Sequence, residues 1–214
     1  MIFSLLFVCV FSSLTTSHSL SCIECKDATD VPCTGDADTC DENEVCVSEF
    51  ALTLIDGIPV VKLFMRGCGN QAQCFVSSSL SIPHARIISS SSCCYTDSCT
   101  PPRPVLPPIT SKKNGLICKG CQSMEARPCD SDLYMECIGN ETKCISQVAM
   151  SSGTPPTAIR GCATPSVCAV RHEEGTFGHL KFKSDITCTD GGAGLHYSLH
   201  LLGATFIFMF KVIN

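Results

Sequence analysis

Cysteine is the chemistry this sequence offers first, with 19 in a chain of 214 residues. Two pairs, Cys22/Cys25 and Cys118/Cys121, stand at the Cys-x2-Cys spacing by which two thiolates can reach one tetrahedral zinc ion. That reading needs free thiolates, and the start of the chain speaks against them. An apolar run from Ile2 to Phe11, a polar stretch, and small residues at Ser17 and Ser19 have the order of a secretory leader and its cleavage site. Residues 1–19 are expected to be a signal peptide. Its removal takes Cys9 and leaves 18 cysteines, an even set in a compartment where disulfides form.

Other reactive residues are sparse. Of six histidines, His18 lies in the leader and His196 and His200 in the C-terminal tail, which leaves His84, His172 and His179 on predicted loops, where solvation is expected. "RHEEG" at His172 lacks the second histidine of a metalloprotease helix, and no Gly-x-Ser-x-Gly occurs. The sequence reads as non-catalytic, with no cofactor, no metal and no nucleic-acid partner. The stretch Lys26–Glu44 holds Asp27, Asp30, Asp36, Asp38, Asp41, Glu42 and Glu44 at spacings that do not fit a calcium loop. Two readings stand: a solvated acidic loop, or Asp36, Asp38 and Asp41 presenting negative potential that speeds encounter with a basic protein. Asn140-Glu141-Thr142 is an N-glycosylation sequon, which makes Asn140 a candidate attachment site.

The elements that must position these residues follow from cysteine spacing. The first half steps by 3, 8, 7, 6, 22, 6, 19, 1 and 5 from Cys22 to Cys99; the second steps by 3, 8, 8, 7, 18, 6 and 20 from Cys118 to Cys188. "MRGCGNQAQC" at Met65–Cys74 answers "IRGCATPSVC" at Ile159–Cys168. Two repeats of one kind follow, expected at residues 20–100 and 117–190. Between them, residues 101–116 are proline-rich and are expected to form a semi-rigid spacer that allows some reorientation. Within the first repeat, Thr/Val/Leu/Phe-rich runs flank Asp56-Gly57, a two-residue hairpin signal. The second repeat has a shorter counterpart turning at Ser151–Pro156, and each repeat has a further loop-and-return before its last cysteines. The turn tips Asp56, Gly57, Ser152 and Gly153 are candidate partner-binding positions, since binding residues favour loops on rigid scaffolds.

The start Leu20-x-Cys22-x2-Cys25, the ten cysteines of the first repeat and the end Cys93-Cys94-x2-Asp97-x-Cys99 resemble the Ly-6/urokinase-receptor three-finger domain. The tandem arrangement is most similar to gamma-type phospholipase A2 inhibitors and related two-domain proteins. The resemblance implies an all-β, disulfide-rich fold of two tandem three-finger domains joined by the proline-rich linker. It implies the pairs Cys22 with Cys46, Cys25 with Cys33, Cys40 with Cys68, Cys74 with Cys93, and Cys94 with Cys99. In the second domain it implies Cys118 with Cys144, Cys121 with Cys129, Cys137 with Cys162, and Cys168 with Cys188. Thr189 replaces the adjacent cysteine there, so the last disulfide is missing and that domain's base is expected to be the looser. The function implied is an extracellular, secreted protein-binding module, an inhibitor of secreted phospholipase A2, with homo-oligomers among its relatives.

The tail leaves a second reading open. Asp190, Gly191 and Gly192 begin a small-residue cluster that precedes an apolar stretch from Leu201 to Phe210, within residues 191–214. This is the order of a GPI-attachment signal, with those three residues as candidate lipid-attachment sites. The protein would then be a cell-surface receptor or adhesion protein that meets the membrane only through its anchor. The alternatives are a secreted protein with a degenerate tail and a true span, which would need about 20 apolar residues.

Overall fold

The computed structural model describes residues 19–169, 171–177 and 180–189. The leader, the tail with Asp190, Gly191 and Gly192, and His179 lie outside the described residues.

The first repeat contains β1 (Ser21–Ile23), β2 (Cys25–Asp27), β3 (Ala37–Thr39), β4 (Glu44–Ile55), β5 (Ile58–Asn70), β6 (Ser77–Ile82) and β7 (Ala85–Cys94). The second contains β8 (Lys113–Lys119), β9 (Cys121–Ser123), β10 (Tyr134–Ile138), β11 (Lys143–Ser151), β12 (Thr157–Ala163), the one-turn helix α1 (Pro165–Cys168), β13 (His172–Phe177) and β14 (Leu180–Thr189). The finger hairpins are β4–β5 and β6–β7 in the first repeat, β11–β12 and β13–β14 in the second; β1 with β3 and β8 with β10 form the two small sheets. The β4–β5 turn has Asp56 at φ 49° and Gly57 at φ 82°, the two positive values that suit a hairpin between right-twisted strands.

Sulfur staples these strands at the base of each repeat. Disulfides join Cys22–Cys46, Cys25–Cys33, Cys40–Cys68, Cys74–Cys93 and Cys94–Cys99, then Cys118–Cys144, Cys121–Cys129, Cys137–Cys162 and Cys168–Cys188. Each of the longer loops contributes about 3 kcal/mol in the chain-entropy account. The first base is also closed by the Cys94–Cys99 loop: Asp97 Oδ1 accepts from Ser21 N at 2.8 Å and Ser98 N donates to Ser21 O at 2.9 Å.

The linker is not a free spacer. Pro101 and Pro104 are buried, Leu106 packs against Phe50, Leu52 and Ile88, and Arg103 lies 5.3 Å from the Phe50 ring centre. The Ser92 hydroxyl donates to Pro102 O, and β8 begins at Lys113, within the proline-rich stretch. Proline removes donors but leaves apolar rings and carbonyls, and these cover one face of the first repeat's sheet.

The two repeats also share strands. β6 pairs with β12 through Ser81 opposite Cys162 and Leu80 opposite Ala163, so a ten-stranded sheet runs β13-β14-β11-β12-β6-β7-β4-β5-β2 with β9 beside β12. Because β12 is antiparallel to β6, both repeats point their fingers the same way, and the second base lies beside the first repeat's third finger. Leu80, Ile82 and Ile87 form one core with Ile145, Ile159, Ala163, Val167 and Ile186. A Cβ on Gly161 would sit 1.9 Å from Ser81 O, whereas one on the matching Gly67 would meet nothing within 4 Å. The second base, expected to be the looser for want of a disulfide, is therefore the part held in the seam.

A buried charge closes that seam. Glu141, 0% exposed, accepts at Oε1 from Ser79 Oγ at 2.5 Å, Ser81 Oγ at 2.8 Å and Arg86 Nε at 3.1 Å, all from the first repeat. Arg86 Nη1 donates to Thr110 O at 2.8 Å and ties in the linker. Removing one member of such a pair strands the other charge in the interior. Arg86→Ala should lower the unfolding free energy by about 3–5 kcal/mol in denaturant titration, and adding Glu141→Leu should recover most of it. A loss under about 1 kcal/mol in the single variant would show that the pair does not hold the seam.

Candidate functional site

The candidate finger-tip residues are joints as well as tips. Asp56 N donates to His84 O at 2.8 Å, and Asp56 Oδ1 lies 2.9 Å from His84 Nδ1, which links the second finger of the first repeat to the third. The second repeat repeats the device with other residues: Ser152 N donates to Lys181 O at 2.9 Å and Lys181 N donates to Ser152 Oγ at 3.0 Å. Gly57 and Gly153 are exposed, at φ 82° and 78°, with open space where a side chain would be, so conformation alone selects glycine at both. Ser152 also borders a hollow of about 600 Å³ lined by Met150, Phe182, Lys181 and Lys183.

The acidic loop is presented to solvent. Asp36, Asp38 and Asp41 are exposed, and none forms an ion pair among the described residues. Asp38 stands on β3 opposite Cys22, and its Oδ1 accepts from Thr39 N at 2.8 Å. This geometry suits long-range attraction of a cation-bearing surface and does not converge carboxylates on one ion.

Both described histidines are exposed, and His84 is in a turn as expected, whereas His172 is on a strand. His84 sits in the β6–β7 turn against Asp56, while His172 lies on a strand with Nδ1 2.6 Å from Asp185 Oδ1 and Nε2 3.2 Å from Glu174 Oε1. His172 faces Asp185 and Glu174 faces Lys183 across β13 and β14, so register creates the cluster. Lys183 holds the Glu174 carboxyl below its ordinary range through a 2.9 Å ion pair. The zinc spacing has no chemistry to offer: Cys22, Cys25, Cys118 and Cys121 are all in disulfides, and so are the neighbours that place three sulfurs together near Cys22 and Cys118. Asn140 is exposed on the turn after β10, next to buried Glu141.

One buried acid escaped sequence reasoning entirely. Glu49, 3% exposed, lies on the central strand β4 opposite Met65 of β5 and Ser91 of β7. Burial lifts its carboxyl from 4.5 to about 7, with a Ser89 hydrogen bond pulling the other way. The available signal was its place in the middle of a long apolar strand, where Val45 to Leu54 are buried on both faces.

Tandem finger hairpins, knots of sulfur at each base and a bound linker define a two-domain, disulfide-bonded three-finger protein. No protein-family model matches the chain. It is 31% identical over 173 residues to phospholipase A2 inhibitor NAI of Notechis ater, across 78% of this chain and 86% of that one. It is 28% identical over 193 residues to a gamma-type phospholipase A2 inhibitor of Gloydius brevicaudus siniticus, across 87% and 95%. Protein RoBo-1 of Rattus norvegicus is 27% identical over 204 residues, across 91% and 81%. The chain belongs to the Ly-6/urokinase-receptor three-finger family, with phospholipase A2 inhibitors among its relatives.

Glu49 gives the family fold a pH dependence whose sign can be worked out. Below pH 4.5 both folded and unfolded chains hold the proton; between 4.5 and about 7 only the folded chain does, so stability falls as pH rises through that window. The full cost, about 3 kcal/mol, is present above it. Glu49→Gln should therefore match the wild type at pH 4 and exceed it at pH 8 in denaturant unfolding. Equal stability at both pH values would show that the carboxyl is not forced to stay protonated.

Proposed function

We propose that the protein is a secreted, N-glycosylated inhibitor of secreted phospholipase A2 that acts by binding the enzyme, without catalysis of its own. The observation that carries this is the match to a phospholipase A2 inhibitor over 86% of that relative's length, spanning both repeats and the seam between them. The nine disulfides of the described residues agree with an oxidising, extracellular setting. A rigid scaffold with exposed loops is the form in which protein surfaces recognise one another at low ordering cost. The GPI-anchored reading rests on residues 190–210 alone.

Protein collected from the medium of producing cells should lose mass on N-glycosidase treatment and inhibit at least one of a panel of secreted phospholipases A2 at micromolar concentration. Absence of inhibition across the panel overturns the inhibitor reading. Release only after phosphatidylinositol-specific phospholipase C would establish the anchored form in its place.

A further inference from the structure

Phe75 is an aromatic residue held in backbone territory that suits glycine, at φ 58°. Its side chain is not compensated by packing, because it is 66% exposed. A bulky residue in the left-handed region is strained, and such strain persists only where neighbouring structure dictates it. Here both neighbours are clamped. Cys74 is bonded to Cys93 and its N donates to Gln71 O at 3.1 Å; Val76 N donates to Ser91 Oγ at 3.0 Å, and the Ser91 hydroxyl donates back to Gln73 O. Asn70 and Gln73 cap the preceding turn reciprocally, with Ala72 N to Asn70 Oδ1 at 2.9 Å and Asn70 N to Gln73 Oε1 at 2.8 Å. The loop is built rigid, with a phenyl ring facing water.

The surroundings narrow what that ring could meet. No Asp, Glu, Lys or Arg occurs from Gly67 to Ala85, nor from Gly161 to Val170. The fold brings these two charge-free runs together: Ser166 Oγ donates to Ser77 O at 2.9 Å and lies 3.2 Å from Ser78 Oγ, while Thr164 N donates to Ser79 O at 2.9 Å. Phe75 stands two residues from that junction; Asn70, Gln71, Ser77 and Pro165 of the two runs are exposed, with Glu44 of β4 paired opposite Asn70. An exposed aromatic on a segment free of lysine and arginine has the anatomy of a protein-interface centre, where charge is depleted. A site for an anionic lipid surface would carry Lys or Arg around the aromatic.

We propose that Phe75 is the anchor that enters the phospholipase, occupying the apolar slot that must admit the substrate's acyl chain. This rests on the inhibitor reading and names the surface it uses, at the end of the molecule opposite the finger tips. The left-handed backbone projects the ring, and its rigidity spares the entropy of ordering the loop on binding.

The test compares full-chain wild type with Phe75→Gly, Phe75→Asn and Phe75→Leu on a panel of secreted phospholipases A2, using a short-chain monomeric substrate so that membrane effects play no part. Glycine and asparagine tolerate the left-handed backbone, so both variants should melt no lower than wild type. Their inhibition should weaken by about thirtyfold or more, as for loss of an aromatic hot spot. Leucine should stay within about tenfold of wild type, because it keeps the apolar contact. If either of the first two variants melts like wild type and inhibits equally well, this inference fails and the inhibitor reading stands. If wild type inhibits no enzyme, both fail. If wild type but not Phe75→Gly binds phosphatidylcholine/phosphatidylserine vesicles, the ring serves a lipid surface and the inference is overturned.

Discussion

The carboxylate of Glu141 belongs to one repeat and its cation, Arg86, to the other. Because the carboxylate has no solvent contact, the closed seam must supply a cation and hydrogen-bond donors to it, and removing either member of the pair strands the other charge. Much of the remaining architecture agrees with that constraint. Ser79 and Ser81 lie on β6 and donate to Oε1 of the carboxylate, Gly161 lets β12 approach β6, and Arg86 reaches onward to fasten the linker at Thr110. The result is one platform instead of two modules on a string.

Sulfur plays a different part from the seam. The Cys22–Cys46 and Cys40–Cys68 bonds gather the first base, and Cys118–Cys144 and Cys137–Cys162 gather the second. These bonds act mainly by restricting the unfolded chain, so they stabilise each base without dictating how the bases meet. Noncovalent packing dictates that. The shared core of Leu80, Ile82 and Ile87 with Ile145, Ile159 and Ile186 is assembled from both repeats, and neither has it alone.

Much of the fold was legible because its signals are local. Cysteine spacing exposed the duplication, and Asp56-Gly57 announced a hairpin whose turn has the two positive φ values such a pair favours. The seam was illegible because its residues have innocent local roles. Glu141 reads as the middle of a sequon, and Gly161 reads like Gly67, although only Gly161 is crowded by another backbone. The proline-rich stretch looked like a spacer since proline cannot extend a sheet; its rings and carbonyls serve as a cover. At the candidate site, position along the chain found Asp56 and Ser152, yet not that each bonds to a third finger. Phe75 gave no sequence signal at all, because its exposure and its φ exist only once Cys74 and Ser91 hold the loop.

A rigid pair of domains suits a protein whose proposed work is to meet an enzyme surface, because little ordering remains to be lost on binding. Native-state hydrogen exchange at the amides of Thr164 and Ser79, which donate across the seam to Ser79 O and Thr164 Oγ1, tests the platform most directly. If the repeats are one unit, these amides exchange only through global unfolding, as slowly as Phe50 and Ile88 in the centre of the first sheet. Exchange through a separate, lower-energy opening, with the first sheet still protected, would contradict it.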